Sequence, residues 1–236
     1  MTRTLAFLAA CGCLATNSVA AEPRDVDIKP LSPGVWRFEV RTNQDGQVVP
    51  ANGLLISTAD GPVLVDPGWR DDQAAALLDF ASRTLHHLPV LVVVTHSHRD
   101  RAGGLGEVRR RGIRVAWLRR TAELLHDVEP GDLLFTESAR VSGLELFFPG
   151  PGHSPDNIVV WHAASGTLYG GCFIRAADDG IGWLKEADLE AWPGAANAVA
   201  RRYPRVKTVV PGHGPPGGPE LLVHTAALAR AERERQ

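Results

Sequence analysis

The stretch Leu91-Val-Val-Val-Thr-His-Ser-His-Arg-Asp100, continued by Arg101-Ala-Gly-Gly104, decides how the rest of the chain is read. Its apolar, β-branched run has no helical periodicity and predicts a strand buried on both faces. The run stops at a cluster of side chains that can bind metal. His96, His98 and Asp100 are spaced two apart, so in an extended segment they project to one side, whereas on a helix neighbours two apart diverge. One loop thereby offers two imidazoles and a carboxylate. Gly103-Gly104 then allows a tight turn before a helical pattern that begins near Leu105.

The chain has 236 residues, 44% of them hydrophobic, and alternates helical and strand patterns, enough to bury the core of one domain built of two similar halves. That domain is expected over 22–236. Residues 1–21 differ: Arg3 precedes an apolar run from Leu5 to Ala15, and Thr16-Asn-Ser-Val-Ala-Ala21 is rich in small residues. This predicts a secretory signal peptide removed near Ala20 or Ala21, with a periplasmic mature protein. The apolar run is too short for a transmembrane anchor. Leu8-Ala-Ala-Cys11 also resembles a lipobox, which makes a lipoprotein at Cys11 the lesser alternative. Cys11 and Cys13 leave with the signal, so Cys172 is the mature chain's one thiol and no intramolecular disulfide forms.

The formal charge of −2 becomes −3 when Arg3, the signal's one charged residue, is lost. This balance gives no reason to expect a nucleic-acid partner. The one basic cluster, Arg109-Arg-Arg111 with Arg114, Arg119 and Arg120, is expected to be the solvated end of a helix and its following loop.

In chain order, Val35–Val40 alternates and predicts a half-buried strand, Thr42–Gly46 a turn, and Leu54–Ser57 and Pro62–Asp66 the rest of a meander. Ala74, Leu77, Leu78 and Ala81 make one helical stripe behind Asp71. Beyond the opening stretch come helices over Leu105–Arg111 and Thr121–Asp127, with strands at Ile113–Trp117, Leu144–Phe148, Ile158–Trp161 and Thr167–Tyr169. A helix from Asp188, a strand over Val206–Val210 and a final helix from Glu220 complete the order. The fold class expected is α/β, as an αββα sandwich of two mixed sheets with helices on the outer faces.

Four loops each follow a predicted strand and carry a metal-capable residue beside glycine or proline, or shortly before a glycine pair. They are His96-x-His98-x-Asp100, His153 in Gly150-Pro-Gly-His-Ser-Pro, Cys172 in Gly171-Cys, and His213 in Pro211-Gly-His-Gly. Six ligands exceed one tetrahedral zinc and suit two metals with positions left open, as a catalytic site requires. The other histidines, His86, His87, His126, His162 and His224, lack that setting.

From Val35 to about Gly214 these motifs resemble the metallo-β-lactamases, specifically the first, Cys-containing subclass of the class B enzymes. The resemblance implies that His96, His98 and His153 hold one zinc while Asp100, Cys172 and His213 hold the other. It further implies hydrolysis of the amide of penicillins, cephalosporins and carbapenems by metal-activated water, with Asp100 at the catalytic centre and no acyl-enzyme. A small-molecule β-lactam is the expected partner, met by a monomer. The resemblance places Arg175 where the family holds the substrate carboxylate and Trp183 where many members have an Asn near the carbonyl. Asp66 is expected to orient a ligand or its loop, and Arg101 to lie beneath the second-metal ligands. The turn from Thr42 to Val49 would be a flap lacking an aromatic tip.

Two alternatives remain open. A related hydrolase of lactones or thioesters would share the His-x-His-x-Asp loop, but such enzymes usually carry Asp where Cys172 stands and His where Arg101 stands. A mononuclear iron oxygenase, or a metal-binding protein of this fold without turnover, is the third reading, and the thiol of Cys172 argues against iron.

Overall fold

The computed structural model describes residues 25–236; the segment expected to be a signal peptide, with Cys11, lies outside them. The first sheet has seven strands in chain order: β1 (Val26–Ser32), β2 (Val35–Gln44), β3 (Gln47–Thr58), β4 (Gly61–Val65), β5 (Leu91–Val93), β6 (Val115–Leu118) and β7 (Leu133–Phe135). The second runs β12 (Thr208–Pro211), β11 (Thr167–Gly171), β10 (Val159–His162), β9 (Leu144–Phe147) and β8 (Ser138–Val141). Strands β4 to β7 are parallel, as are β11 and β12; the remaining pairs are antiparallel. Among the described residues six helices cover the sheets: α1 (Asp71–Leu85), α2 (Arg99–Ala102), α3 (Leu105–Arg110), α4 (Arg119–Leu125), α5 (Trp192–Arg202) and α6 (Glu220–Arg233).

The two-residue alternation of the strands sorts side chains into three apolar layers. Leu64, Val92, Val94, Val115 and Trp117 face α1, α3 and α4 and pack with Leu77, Leu78 and Val108. Their alternates Val63, Val65, Leu91, Val93 and Ala116 point the other way and meet Leu146, Val160, Tyr169 and Val210 of the second sheet. Val159, Leu168 and Val209 face α5 and α6 with Trp192, Val199 and Leu222. The order helix, sheet, sheet, helix is the αββα sandwich. Each of these fully buried aliphatic side chains contributes about 1.5–3 kcal/mol by leaving water, so the central strands anchor whatever their ends carry.

Those ends coincide in space. Asp66 follows β4, Thr95 and His96 follow β5, Cys172 follows β11 and Gly212-His213 follows β12. Because Val160 pairs with Tyr169 in antiparallel register, the loop before β10, which holds His153, lies at that same edge. Two backbone bonds join the sheets there: Ile158 N–H donates to Thr95 O at 2.9 Å, and Asn52 N–H to Gly212 O at 2.8 Å.

Several local expectations change. The strand at Leu91 has only three paired residues, and Asp100 sits inside the short helix α2, whose N-cap is His98. The three ligands of that loop are therefore not on one extended segment, yet their ligand atoms still converge to within 4.8 Å of one another, with Asp100 carried by α2. Gly103 and Gly104 do form the turn between α2 and α3, but with ordinary negative φ; a Cβ on Gly103 would stand 2.1 Å from Trp69 O, so crowding and not backbone freedom requires glycine here. The flap is a strand hairpin longer than its predicted turn, with Thr42 opposite Val49 and a two-residue turn at Asp45 (φ 51°) and Gly46 (φ 83°), the left-handed pair a tight hairpin needs. Arg109 is not solvated. It lies over the Trp117 ring and donates to both carboxylate oxygens of Asp132, at 2.8 and 2.7 Å. Strands β1, β7 and β8 are additions; Pro30 sits in β1 because that strand is an edge and needs no donor on its outer side.

Candidate metal centre

Three imidazoles converge first. His96 Nε2 lies 3.1 Å from His98 Nδ1, which lies 3.1 Å from His153 Nε2, and the rings stand nearly perpendicular at 78°, 80° and 84°. Beside them, Cys172 Sγ is 3.1 Å from Asp100 Oδ2 and 3.3 Å from His213 Nε2, and the latter two atoms are 3.3 Å apart. The two groups share a boundary, because His96 also reaches within 4.8 Å of Cys172 and of Asp100. Four tetrahedral ligands with zinc–nitrogen bonds of about 2.0–2.1 Å stand roughly 3.4 Å apart. The spacing of each trio fits one zinc with a coordination position left over.

Hydrogen bonds on the far side of the rings select the nitrogen that faces inward. His213 Nδ1 donates to Pro50 O at 2.5 Å, which leaves Nε2 for metal. His96 Nδ1 lies 3.4 Å from Thr95 Oγ1, and that hydroxyl donates to Asp66 Oδ2 at 2.8 Å. His98 is turned the other way: its Nε2 meets Glu186 Oε2 at 3.1 Å, so Nδ1 faces the other imidazoles. Such outer partners fix tautomer and ring orientation.

Arg101 lies beneath the second trio, fully buried. Its Nη2 donates to Gly212 O at 2.9 Å and faces Cys172 Sγ at 3.0 Å and Asp100 Oδ2 at 2.8 Å. Its Nη1 donates to Asn52 O at 2.6 Å and Tyr169 Oη at 2.8 Å, and Tyr169 in turn donates to Asp66 Oδ2 at 2.8 Å. One cation thus serves two buried carboxylates. Burial drives Asp66 up to about 6 against the pull of Arg101 and of the Thr95 and Tyr169 bonds. For Asp100 burial acts the same way, but Arg101 and His213 outweigh it and hold the carboxyl well below its usual range. Burial keeps His96 well below the usual imidazole value and lowers His153 to about 3, each helped by the neighbouring imidazoles. His213 goes up to about 10: burial opposes this, and Cys172 and Asp100 beside it prevail.

The backbone is shaped to this crowding. Asp66 is held at φ 60°, a conformation that costs a non-glycine residue about 1–2 kcal/mol, and its Oδ1 is anchored by Thr95 N–H at 2.8 Å. At Gly212 a Cβ would meet Cys172 N at 2.5 Å and Arg101 Nη2 at 2.7 Å, so no larger residue fits between them.

A profile of the metallo-beta-lactamase superfamily matches residues 46–213, from the flap through all six of these metal-capable side chains. The chain belongs to the metallo-β-lactamase superfamily. Curated relatives agree: the type 2 metallo-β-lactamase of Bacillus cereus is 34% identical over 216 residues, covering 89% of this chain and 84% of that protein. The Bacteroides fragilis type 2 enzyme is 32% identical over 212 residues, 86% of this chain and 85% of its own. Among solved structures, the Pseudomonas aeruginosa metallo-β-lactamase FIM-1 in its mono-zinc form superposes with a TM-score of 0.83 at 34% identity, covering 90% of this chain and 99% of that one. A metallo-β-lactamase from Hirschia baltica gives 0.82 at 31%, covering 87% and 98%.

In this metallo-β-lactamase superfamily chain the remaining predicted residues lie around the trios. Trp183 is 48% exposed and stands edge-on to His98, ring centroids 4.8 Å apart. Arg175 is buried; its Nε donates to Gly180 O at 2.8 Å, and its Nη2 faces Asp179 Oδ2 at 3.5 Å. Sequence reasoning missed Glu186, Asn52 and Tyr169. Asn52 carried a signal, as a polar residue within the strand run Ala51-Asn-Gly-Leu-Leu55. Its Nδ2 donates to Pro211 O at 2.9 Å and Gly214 O at 2.8 Å and ties down the loop that carries His213.

Proposed function

We propose that this enzyme is a periplasmic β-lactamase with two zinc ions per chain, His96, His98 and His153 holding one and Asp100, Cys172 and His213 the other. The observation that carries the reading is the pair of adjoining donor trios, one of three imidazoles linked by 3.1 Å nitrogen–nitrogen contacts and one of thiol, carboxylate and imidazole, each too small to close a zinc site. Bound zinc supplies Lewis acidity, polarising a carbonyl oxygen and lowering the pKa of water to about 7. The protein's residues do the rest. Arg101 neutralises Asp100 from below, so two acidic ligands can be buried side by side. Cys172 is 2% exposed and enclosed by Asp100, Arg101 and His213; this suits a ligand and excludes attack on substrate. Trp183 supplies an apolar wall beside His98, and Arg175 is the cation available for the carboxylate that β-lactams carry. Export follows from the signal-like residues 1–21, removed before the enzyme acts as a monomer. No helix among the described residues is long and apolar enough to cross a membrane.

Zinc analysis joined to hydrolysis tests the reading. The zinc-replete enzyme is expected to carry two zincs and to open a penicillin, a cephalosporin and a carbapenem. Cys172→Ser should retain one zinc and lose most of the activity. Full activity after exhaustive chelation contradicts the proposal, and turnover of a lactone or thioester alone would move the chain to the related hydrolases.

A further inference from the structure

Arg175 does not stand free. Its side chain is 9% exposed, and Asp179, which is 34% exposed, faces it across 3.5 Å. The guanidinium is fixed independently of that carboxylate: Nε donates to Gly180 O, the backbone N–H of Arg175 donates to Thr225 Oγ1 at 2.9 Å, and Gly182 lies so close that a Cβ would be 3.0 Å from the guanidinium carbon. Asp179 in turn sits beside the second trio, its Oδ2 3.3 Å from where a Cβ of Gly214 would stand, one residue beyond His213. On the other side, Arg175 is near enough for its charge to help keep His153 neutral. Cation and anion therefore lie together at the edge of the metal centre.

A substrate carboxylate that approaches Arg175 meets an acceptor already in place. It gains from the guanidinium and is repelled by Asp179, so the second charge offsets part of what the first supplies. A substrate with a fixed cation next to its carboxylate escapes that offset, since each of its charges meets the opposite sign. Resting on the β-lactamase reading, we propose that Asp179 is a specificity-determining residue: paired with Arg175, it makes the site favour zwitterionic β-lactams, with a cationic group beside the carboxylate, over simple anionic ones.

Cephaloridine and cephalothin form a matched pair, with the same acylamino side chain but a pyridinium group or a neutral acetoxy group beside the carboxylate. The quantity to follow is the ratio of their kcat/KM values, compared between wild type and Asp179→Asn so that leaving-group reactivity cancels. Removing the negative charge is expected to shift the ratio at least threefold toward cephalothin, chiefly through KM. The shift should disappear when Arg175→Ala is also present. A ratio constant within twofold, or an equal shift in the Arg175→Ala background, overturns the proposal. If the zinc-loaded wild type turns over neither compound, the β-lactamase reading has failed separately. The same pair then serves as ligands in calorimetry, where the ratio of dissociation constants decides on Asp179 by the same thresholds.

Discussion

His98 Nε2 lies 3.1 Å from Glu186 Oε2, and this contact makes Nδ1 the nitrogen that faces His96 and His153. It ties a metal-capable side chain to a loop after β11, 88 residues away. Trp183, from the same loop, packs on the same ring. Removing a carboxylate that orients a ligating histidine typically costs 10–100-fold in metal affinity. Glu186→Ala should therefore weaken zinc in the His96–His98–His153 site by about tenfold, measured by competition with a chromophoric chelator. Glu186→Asp should recover part of it only if the shorter side chain still reaches. Unchanged affinity in Glu186→Ala would show that the contact orients nothing.

Arg101 is the heaviest single commitment in the buried site. Breaking a buried pair by removing one partner costs about 3–5 kcal/mol because the other charge is stranded. Arg101 faces Asp100 at 2.8 Å and Asp66 at 3.6 Å, so Arg101→Ala strands two. The metal-free variant should lose at least about 3 kcal/mol in chemical denaturation. Arg101→His removes less volume and serves as the check if the alanine variant does not fold. A loss below 1 kcal/mol in both would refute the role assigned to this guanidinium.

The metal-free enzyme should be acid-sensitive in a defined window. Burial, then the neighbouring His98, lowers His153 to about 3, while the unfolded chain titrates near the ordinary value of 6.5. Between these values the unfolded state binds a proton that the folded state refuses. Stability is thus complete above about 6.5 and falls as pH drops toward 3, by at most about 1.4 kcal/mol per pH unit for this group. Urea midpoints of chelated protein at pH 7 and pH 5 measure the net slope, to which His96 adds in the same direction and from which Asp66, raised to about 6, and His213, raised to about 10, subtract, leaving the two lowered histidines dominant. His153→Gln should flatten it. A midpoint that rises as pH falls over this range would reverse the sign and overturn the account.

Trp183 offers a more local test. Half exposed and edge-on to His98, it can contact substrate without holding the fold together. Trp183→Ala is expected to raise KM about threefold to tenfold for a cephalosporin with an apolar side chain, the equivalent of about 1 kcal/mol of lost contact. Thermal stability should move little. A large fall in melting temperature with KM unchanged would make the indole a structural residue.

Much of this was legible in the residues themselves. The run Leu91–Val94 announces a strand buried on both sides, and its side chains do alternate between two apolar layers. The six metal-capable residues stand out because glycine and proline mark the strand ends that carry them, and the structure gathers all six. What escaped depends on contacts distant in sequence. Glu186 looks like any solvated acid until the fold folds its loop onto His98. Arg109 reads as part of a basic helix end, yet Asp127 and Asp132, 18 and 23 residues on, enclose it. For Asp100 the convergence was legible and the backbone was not: its carboxylate does gather with His96 and His98, but from the short helix α2 that begins after His98 and cannot be read from four residues, not from an extended segment.

The most direct test is the absorbance decay of a carbapenem in the ultraviolet, followed with purified mature enzyme under added zinc and under added chelator. The account predicts rapid loss of the lactam chromophore with zinc, and its arrest on chelation. It also predicts return of activity when zinc is restored. A sample shown to hold two zincs that leaves the carbapenem, a penicillin and a cephalosporin intact would contradict the central claim, while leaving the fold and the donor trios as described.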